Sequence, residues 1–173
     1  MAIPGGRRAA RMRLTGLHDD HIAAASALLE RCYRFLAVQE HYTSEQLDEL
    51  IVQRGSPDAL RAQRLQYRFV LAWEHDELVG LVAVQQAEIA KLYVEPAHHR
   101  RGIGARLWRT ASSMVREGGH RELWLGTTGY GIPLYQAMGM QITGTLEVRT
   151  GPLAGRTVTR LEHRIDSARG RGS

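Results

Sequence analysis

The chain has 173 residues, 43% of them hydrophobic and 24% charged, which fits one soluble domain able to bury its own core. No apolar run approaches the roughly 20 residues that span a bilayer, and a single cysteine, Cys32, excludes an internal disulfide. The formal charge of +5 favours an anionic partner, a nucleic acid or a phosphorylated cofactor alike.

Lys91 is the only lysine, and there is no asparagine, which removes any Asn-linked glycosylation site. That skew is expected of a GC-rich bacterial genome. Met1 to Arg13 is basic without the apolar centre of a secretory signal, so a cytoplasmic location is expected. Residues 1–10 and 167–173 read as flexible tails around a single domain at 11–166.

A first strand is expected at about Arg11 to Leu17, then a helix from near Asp19. There Ile22, Ala25, Leu28, Leu29, Cys32, Phe35 and Leu36 recur at helical spacing. Cys32 lies on that stripe and reads as a packed core thiol, not a nucleophile. Thr43 and Gln46 have capping-box spacing, so a second helix starts there. Ser56-Pro57 opens a third, running to about Gln66. The period then changes to two: Tyr67 to Trp73 and Leu78 to Gln85 read as a hairpin around His75 to Glu77. A strand at Glu88 to Val94 follows, then a helix from near Gly102 to Gly118. A strand at Glu122 to Leu125, a short helix through Tyr135 to Met138, and strands at Gln141 to Val148 and Arg156 to Ile165 complete the chain. Strands that follow one another directly imply antiparallel pairs, and the one strand–helix–strand crossover implies one parallel pair. The fold class is a mixed-sheet α/β or α+β domain, not a doubly wound sheet.

The stretch from Glu88 to Trp108 carries the strongest signal. A strand stops at Pro96, a basic turn His99-Arg100-Arg101-Gly102-Ile103-Gly104 follows, and an amphipathic helix begins. Glycines let a ligand approach the backbone, and the first amides of a helix lack internal partners and favour phosphate. No Gly-Lys-Ser/Thr follows, which excludes a P-loop. The third glycine of a dinucleotide fingerprint would fall at Leu107, which excludes that as well.

Here the sequence resembles the GNAT superfamily of N-acetyltransferases. Its signature, Gln/Arg-x-x-Gly-x-Gly/Ala after a strand and a Val-x-Pro step, is matched by Val94, Glu95 and Pro96, then His99, Gly102 and Gly104. Its later Tyr-x-x-x-Gly-Phe segment is matched by Tyr135, Gly139 and Met140. The match is strong over about residues 67 to 150. It implies a three-layer fold, with a mostly antiparallel sheet of about seven strands and helices on both faces. It implies acetyl-CoA as the cofactor, with the backbone of Leu92, Tyr93 and Val94 pairing with the pantetheine arm. Amides from His99, Arg100 and Arg101 through Gly102, Ile103, Gly104, Ala105 and Arg106 would hold the pyrophosphate. Tyr135 would be the general acid for the departing thiolate, a role that suits a phenol.

Glu88 resembles the place where histone-modifying members keep a glutamate base; Glu122 and His41 are weaker candidates. No His/Cys/carboxylate set has zinc spacing, so no metal is expected. The sequence departs from the family in three places. His99 replaces Gln/Arg, Met140 replaces an aromatic, and Thr127, Thr128 and Gly129 stand where an asparagine is common. The Thr128 hydroxyl is a candidate substitute contact to pantetheine. By resemblance, the segment around His41 and Tyr42 is the acceptor wall, and Glu40, Glu45, Asp48 and Glu49 make it acidic, which would suit a cationic amine.

The expected function is therefore acetyl transfer from acetyl-CoA to a primary amine, in a protein that the resemblance allows to be a homodimer. The rival classes are a non-catalytic acyl-CoA sensor and a nucleic-acid-binding protein. The second is disfavoured because the arginines are scattered without interleaved aromatics.

Overall fold

The computed structural model describes residues 11–165; both expected tails, and residue 166, lie outside the described residues. Seven strands form one sheet in the order β1-β2-β3-β4-β5-β7-β6. They are β1 (Arg13–Thr15), β2 (Arg68–Glu74), β3 (Glu77–Gln85), β4 (Glu88–Val94), β5 (Glu122–Thr127), β6 (Gln141–Glu147) and β7 (Thr157–Arg164). Every pairing is antiparallel except β4 with β5, which is the predicted parallel pair.

Helices cover both faces. On one face lie α1 (Ile22–Gln39), α2 (Ser44–Leu50) and α3 (Pro57–Gln63). Their core joins Leu28, Leu29, Tyr33, Leu50 and Leu60 to Leu71, Leu81 and Ala83 of the sheet. On the other face α4 (Ile103–Glu117) packs Ile103, Leu107, Trp108, Ala111, Met114 and Val115 against Val79, Val82, Leu123 and Leu125. Tyr135 of the short α5 (Ile132–Ala137) joins that second core. The capping box of α2 is formed as expected: Gln46 N donates to Thr43 Oγ1 and Thr43 N to Gln46 Oε1, both at 3.1 Å. Cys32 is buried and its thiol donates to the Val94 carbonyl at 3.4 Å, a core thiol as expected, with its pKa pushed up to about 12, chiefly by burial.

The structure differs from the expected elements in three places. β1 is shorter at both ends, and α3 stops at Gln63. Between α2 and α3 the chain makes a π-helical turn, Ile51–Gly55, which sequence periodicity did not indicate. Tertiary contacts hold that wide turn in place. Gly55 is pressed on Tyr33, where a Cβ would stand 2.9 Å from the ring, and Lys91 of β4 donates to the Arg54 carbonyl at 3.1 Å.

The feature that matters most for function is where β4 and β5 part. They pair only at Glu88↔Trp124, with Trp124 N donating to the Ala87 carbonyl at 3.0 Å. The register of β4 on β3 slips just beyond, from Val84↔Ile89 to Ala83↔Lys91, leaving Ala90 as the extra residue. Such a bulge bends and twists its strand. β4 therefore turns away from β5, and a gap opens toward their C-terminal ends.

Candidate active site

β4 supplies the edge of that gap. Glu95 N donates to the Val79 carbonyl at 2.9 Å, which fixes the alternation of the antiparallel ladder. Tyr93 and Lys91 bond to β3, so the N–H and C=O of Leu92 and Val94 point toward the gap. The Val94 carbonyl is already taken, by His99 Nε2 at 3.0 Å and the Cys32 thiol at 3.4 Å. What remains is the Leu92 N–H and C=O and the Val94 N–H. Backbone groups left this way beside a gap are ready to pair with an extended chain. Of the three residues expected to do so, Leu92 and Val94 are placed for it. Tyr93 turns its backbone to β3 and its ring to the helical core beyond.

The basic turn sits at one end of the gap. Arg100 and Gly102 take left-handed conformations, at φ 63° and 80°, and the chain enters α4 directly after Gly102. The first amides of α4, on Ile103, Gly104 and Ala105, have no partner within the helix. The amide of Arg106 does, since it donates to the Gly102 carbonyl at 3.1 Å, so the cradle ends one residue earlier than expected. A Cβ on Gly104 would touch only Val94 Cγ2, at 3.7 Å, so this face is open to a ligand. Arg100 is exposed, whereas the Arg101 side chain is held away by Glu74 at 3.3 Å and His98 Nδ1 at 3.0 Å.

Tyr135 stands beyond the C-terminal end of β5 and is 8% exposed. Gly131 is what lets it pack there: a Cβ at that position would lie 3.2 Å from Tyr135 Cε2 and collide with Thr127 Oγ1. Burial, and then the nearby Tyr93 phenol, raise the Tyr135 pKa well above the ordinary tyrosine value, so the phenol keeps its proton until a strong base arises beside it. Thr128 stands just after β5, half-buried, and its side chain helps to lower the pKa of the Tyr42 phenol against the larger effect of burial.

Glu88 is half-buried where β4 and β5 last touch. Burial raises the pKa of its carboxyl, opposed by the charges of Arg160 and Arg54. Arg160 lies over the Trp124 ring at 4.2 Å and bonds Glu162 at 2.8 Å. By register, Glu88, Lys91 and Tyr93 share one face of β4. The other base candidates are placed differently. Glu122 is exposed and pairs with Arg164 at 3.5 Å, and His41 is exposed on a turn at φ 54°.

The segment between α1 and α2 is tied to the turn after β5 through Tyr130 and to Arg156 just ahead of β7. Glu45, Asp48 and Glu49 are exposed on α2, and the Glu40 carboxylate accepts from Tyr130 N at 2.7 Å. One guanidinium fastens the wall. Arg156 donates to the carbonyls of Glu40 and His41 and to Gln46 Oε1, each at 3.2 Å, and lies 4.6 Å over the Tyr42 ring. Phe35 packs edge-on against both His99 and Tyr130, with ring centroids 5.2 and 5.3 Å apart, and so bridges the β4 and β5 sides of the gap. Tyr33, Arg54 and Arg156 were not singled out by sequence. Tyr33 was legible, four residues after Leu29 on the apolar stripe of α1; Arg54 and Arg156 are placed by contacts that leave no local pattern.

Residues 38–153, more than half of the chain, match the family model described as an acetyltransferase (GNAT) domain. No curated protein is similar enough in sequence to match. Among solved structures, a GCN5-related N-acetyltransferase from Rhodopseudomonas palustris aligns with a TM-score of 0.77 at 16% identity, over 93% of this chain and 100% of that one. The PaiA N-acetyltransferase of Thermoplasma acidophilum, in complex with coenzyme A, aligns with a TM-score of 0.73 at 17% identity, over 89% and 99%. An aminoglycoside 6'-N-acetyltransferase complexed with coenzyme A gives 0.63 at 17%, over 90% and 98%. Among the described residues no helix is long and apolar enough to cross a membrane, and no three His, Cys, Asp or Glu side chains are grouped to hold a metal. With its fold, its glycine turn and the matched model in agreement, the chain belongs to the GNAT acetyltransferase family.

Proposed function

We propose that the protein transfers an acetyl group from acetyl-CoA to a primary amine by direct attack on the thioester. The observation that carries this is the gap between β4 and β5, with the Leu92 amide beside it, the amides of Ile103 to Ala105 following β4 and Tyr135 following β5. The amide cradle fits a pyrophosphate and the free edge of β4 fits the pantetheine arm. The Leu92 N–H polarises the thioester oxygen as it gains charge.

Glu88, or a water it holds, accepts the proton of the ammonium. The amine nitrogen then bonds the carbonyl carbon, the carbon–sulfur bond breaks, Tyr135 gives its proton to the departing sulfur, and the second proton shed by the nitrogen returns through water to the Tyr135 phenolate. Burial suits both groups to these roles, since it makes Glu88 a stronger base and keeps Tyr135 protonated. A free-thiol release assay with acetyl-CoA and a panel of amines tests the reading. Thiol release that depends on amine is expected, and Tyr135→Phe should lower kcat by about a hundredfold with acetyl-CoA affinity unchanged. If none of the amines in the panel brought about thiol release, a protein that binds acyl-CoA without turning it over would be favoured.

A further inference from the structure

The apolar stripe of α1 runs on past the sheet. Ile22, Ala25, Leu28, Leu29 and Cys32 are buried, but Phe35, next on that stripe, is only half-buried and belongs to neither hydrophobic core. Its aromatic neighbours are His99, with ring centroids 5.2 Å apart at 90°, and Tyr130, at 5.3 Å and 75°. Both are the edge-on arrangement that aromatic pairs favour.

Those neighbours stand on opposite sides of the gap. His99 closes the turn after β4, its ring on the Val94 carbonyl at 3.0 Å. One turn of α1 grips that side twice more. Arg31 Nε donates to the Glu95 carboxylate at 2.6 Å, and the Cys32 thiol to the Val94 carbonyl at 3.4 Å. The β4 side is thus tied to α1 and also to β3 through its ladder. Tyr130 lies in the turn Gly129–Gly131 between β5 and α5. There α1 reaches across at two points, the Phe35 ring and the Glu40 carboxylate, which accepts from Tyr130 N at 2.7 Å. The next residue, Gly131, lies so near the catalytic phenol that a Cβ there would stand 3.2 Å from Tyr135 Cε2. A shift of Tyr130 is therefore passed on to Tyr135.

We propose that Phe35 is a positioning residue: set between His99 and Tyr130, it fixes the spacing between the Leu92 amide on β4 and the Tyr135 phenol beyond β5. This rests on the acetyltransferase reading, in which both groups act on one thioester. The amide must meet the carbonyl oxygen while the phenol meets the sulfur, and a misplacement of about 1 Å can lower the rate about a hundredfold. A pyrophosphate at the start of α4 is bound on the β4 side alone and does not depend on that spacing.

The test is a double-mutant cycle of Phe35→Ala with Tyr135→Phe, read by thiol release from acetyl-CoA with the best amine of the panel. Phe35→Ala should lower kcat about tenfold or more, while the amine KM and the calorimetric affinity for acetyl-CoA change less than about threefold. In the Tyr135→Phe background the same substitution should lower kcat less than about twofold, because no phenol is left to misplace. Phe35→Tyr keeps the ring and should restore most of the rate. Phe35 lies outside both cores, so the alanine variant should fold; Phe35→Leu, which keeps bulk without a ring edge, reads the same contact if it does not. Losses that multiply in the cycle, a raised KM with kcat unchanged, or an alanine variant equal to wild type would overturn the assignment and leave the transferase reading standing. Amide hydrogen exchange supplies a readout without turnover: residues 129–137 should exchange faster in Phe35→Ala and return to the wild-type rate in Phe35→Tyr. That result, with no thiol release from any amine, would uphold the positioning role and remove the transferase reading alone. Exchange unchanged at 129–137 would overturn the positioning role.

Discussion

His99 Nε2 lies 3.0 Å from the carbonyl oxygen of Val94, so the turn that follows β4 closes back on the strand's own last residue. The contact sets the angle at which the amides of α4 meet the edge of β4, and Phe35 braces the ring from the side at 5.2 Å. The family signature has Gln or Arg at this position, both of which carry N–H donors, and here the His99 ring donates its N–H to the Val94 carbonyl. His99→Ala should weaken acetyl-CoA binding about fivefold, the worth of one ordinary hydrogen bond, and His99→Gln should restore most of it. Calorimetry with acetyl-CoA measures both, and equal affinity in all three proteins would show that the contact does not position the cradle.

Arg156 is a positioning residue. It reaches back 115 residues to the His41 carbonyl and holds a loop that otherwise leaves α1 through a left-handed residue. Arg156→Ala should raise the acceptor KM about tenfold while the acetyl-CoA KM changes less than about twofold. Limited proteolysis between Glu40 and Gln46 should quicken in step. Lysine cannot fork to three acceptors, so Arg156→Lys should resemble alanine. A fall in kcat with both KM values unchanged would contradict the role.

Lys91 links the site to stability. Burial, and secondarily Arg54, lower its pKa from the ordinary 10.5 to about 7. Below about pH 7 the residue is charged in folded and unfolded chains alike, and the burial penalty is fully present. Between about pH 7 and 10.5 the unfolded chain holds a proton that the folded chain lacks, so the contribution to stability rises with pH. Lys91→Met removes that slope. Urea midpoints should place the variant highest relative to wild type near pH 6, with the advantage shrinking by pH 10. A difference that stays constant with pH would mean that Lys91 titrates as an ordinary lysine.

Much of this fold was written locally. The apolar stripes of α1 and α4, the Thr43–Gln46 box and the alternation of β2 to β4 each lie within about fifteen residues, and each is found where it was expected. The glycine turn was equally legible because its chemistry is backbone chemistry. The acceptor side was not. Its acidic reading stays an expectation, because a helix-surface carboxylate such as Glu45, Asp48 or Glu49 looks the same in sequence whether it faces solvent or a ligand. The π turn failed to show because what widens it is Tyr33 and Lys91, from elsewhere in the chain. Arg156 is joined to its partners by contacts across more than 100 positions, and no period or motif reports those.

Two glycines near the gap separate ligand approach from packing. At Gly104 an added Cβ would meet only Val94 Cγ2 at 3.7 Å, an ordinary contact, whereas at Gly80 it would lie 2.8 Å from Leu107 Cδ1, 3.1 Å from the Tyr93 carbonyl and 3.2 Å from Ile103 Cγ2. Gly104→Val therefore leaves the fold intact and places a branched side chain where the cradle amides must meet a phosphate. Its melting temperature should match the wild type while acetyl-CoA binding disappears from calorimetry. Gly80→Ala overpacks the seam between β3 and α4 and should cost about 1–3 kcal/mol of stability, with acetyl-CoA affinity largely kept in the folded fraction. If Gly104→Val binds acetyl-CoA normally, the pyrophosphate does not sit at the start of α4. If it unfolds while Gly80→Ala does not, the open face at Gly104 is not open in solution.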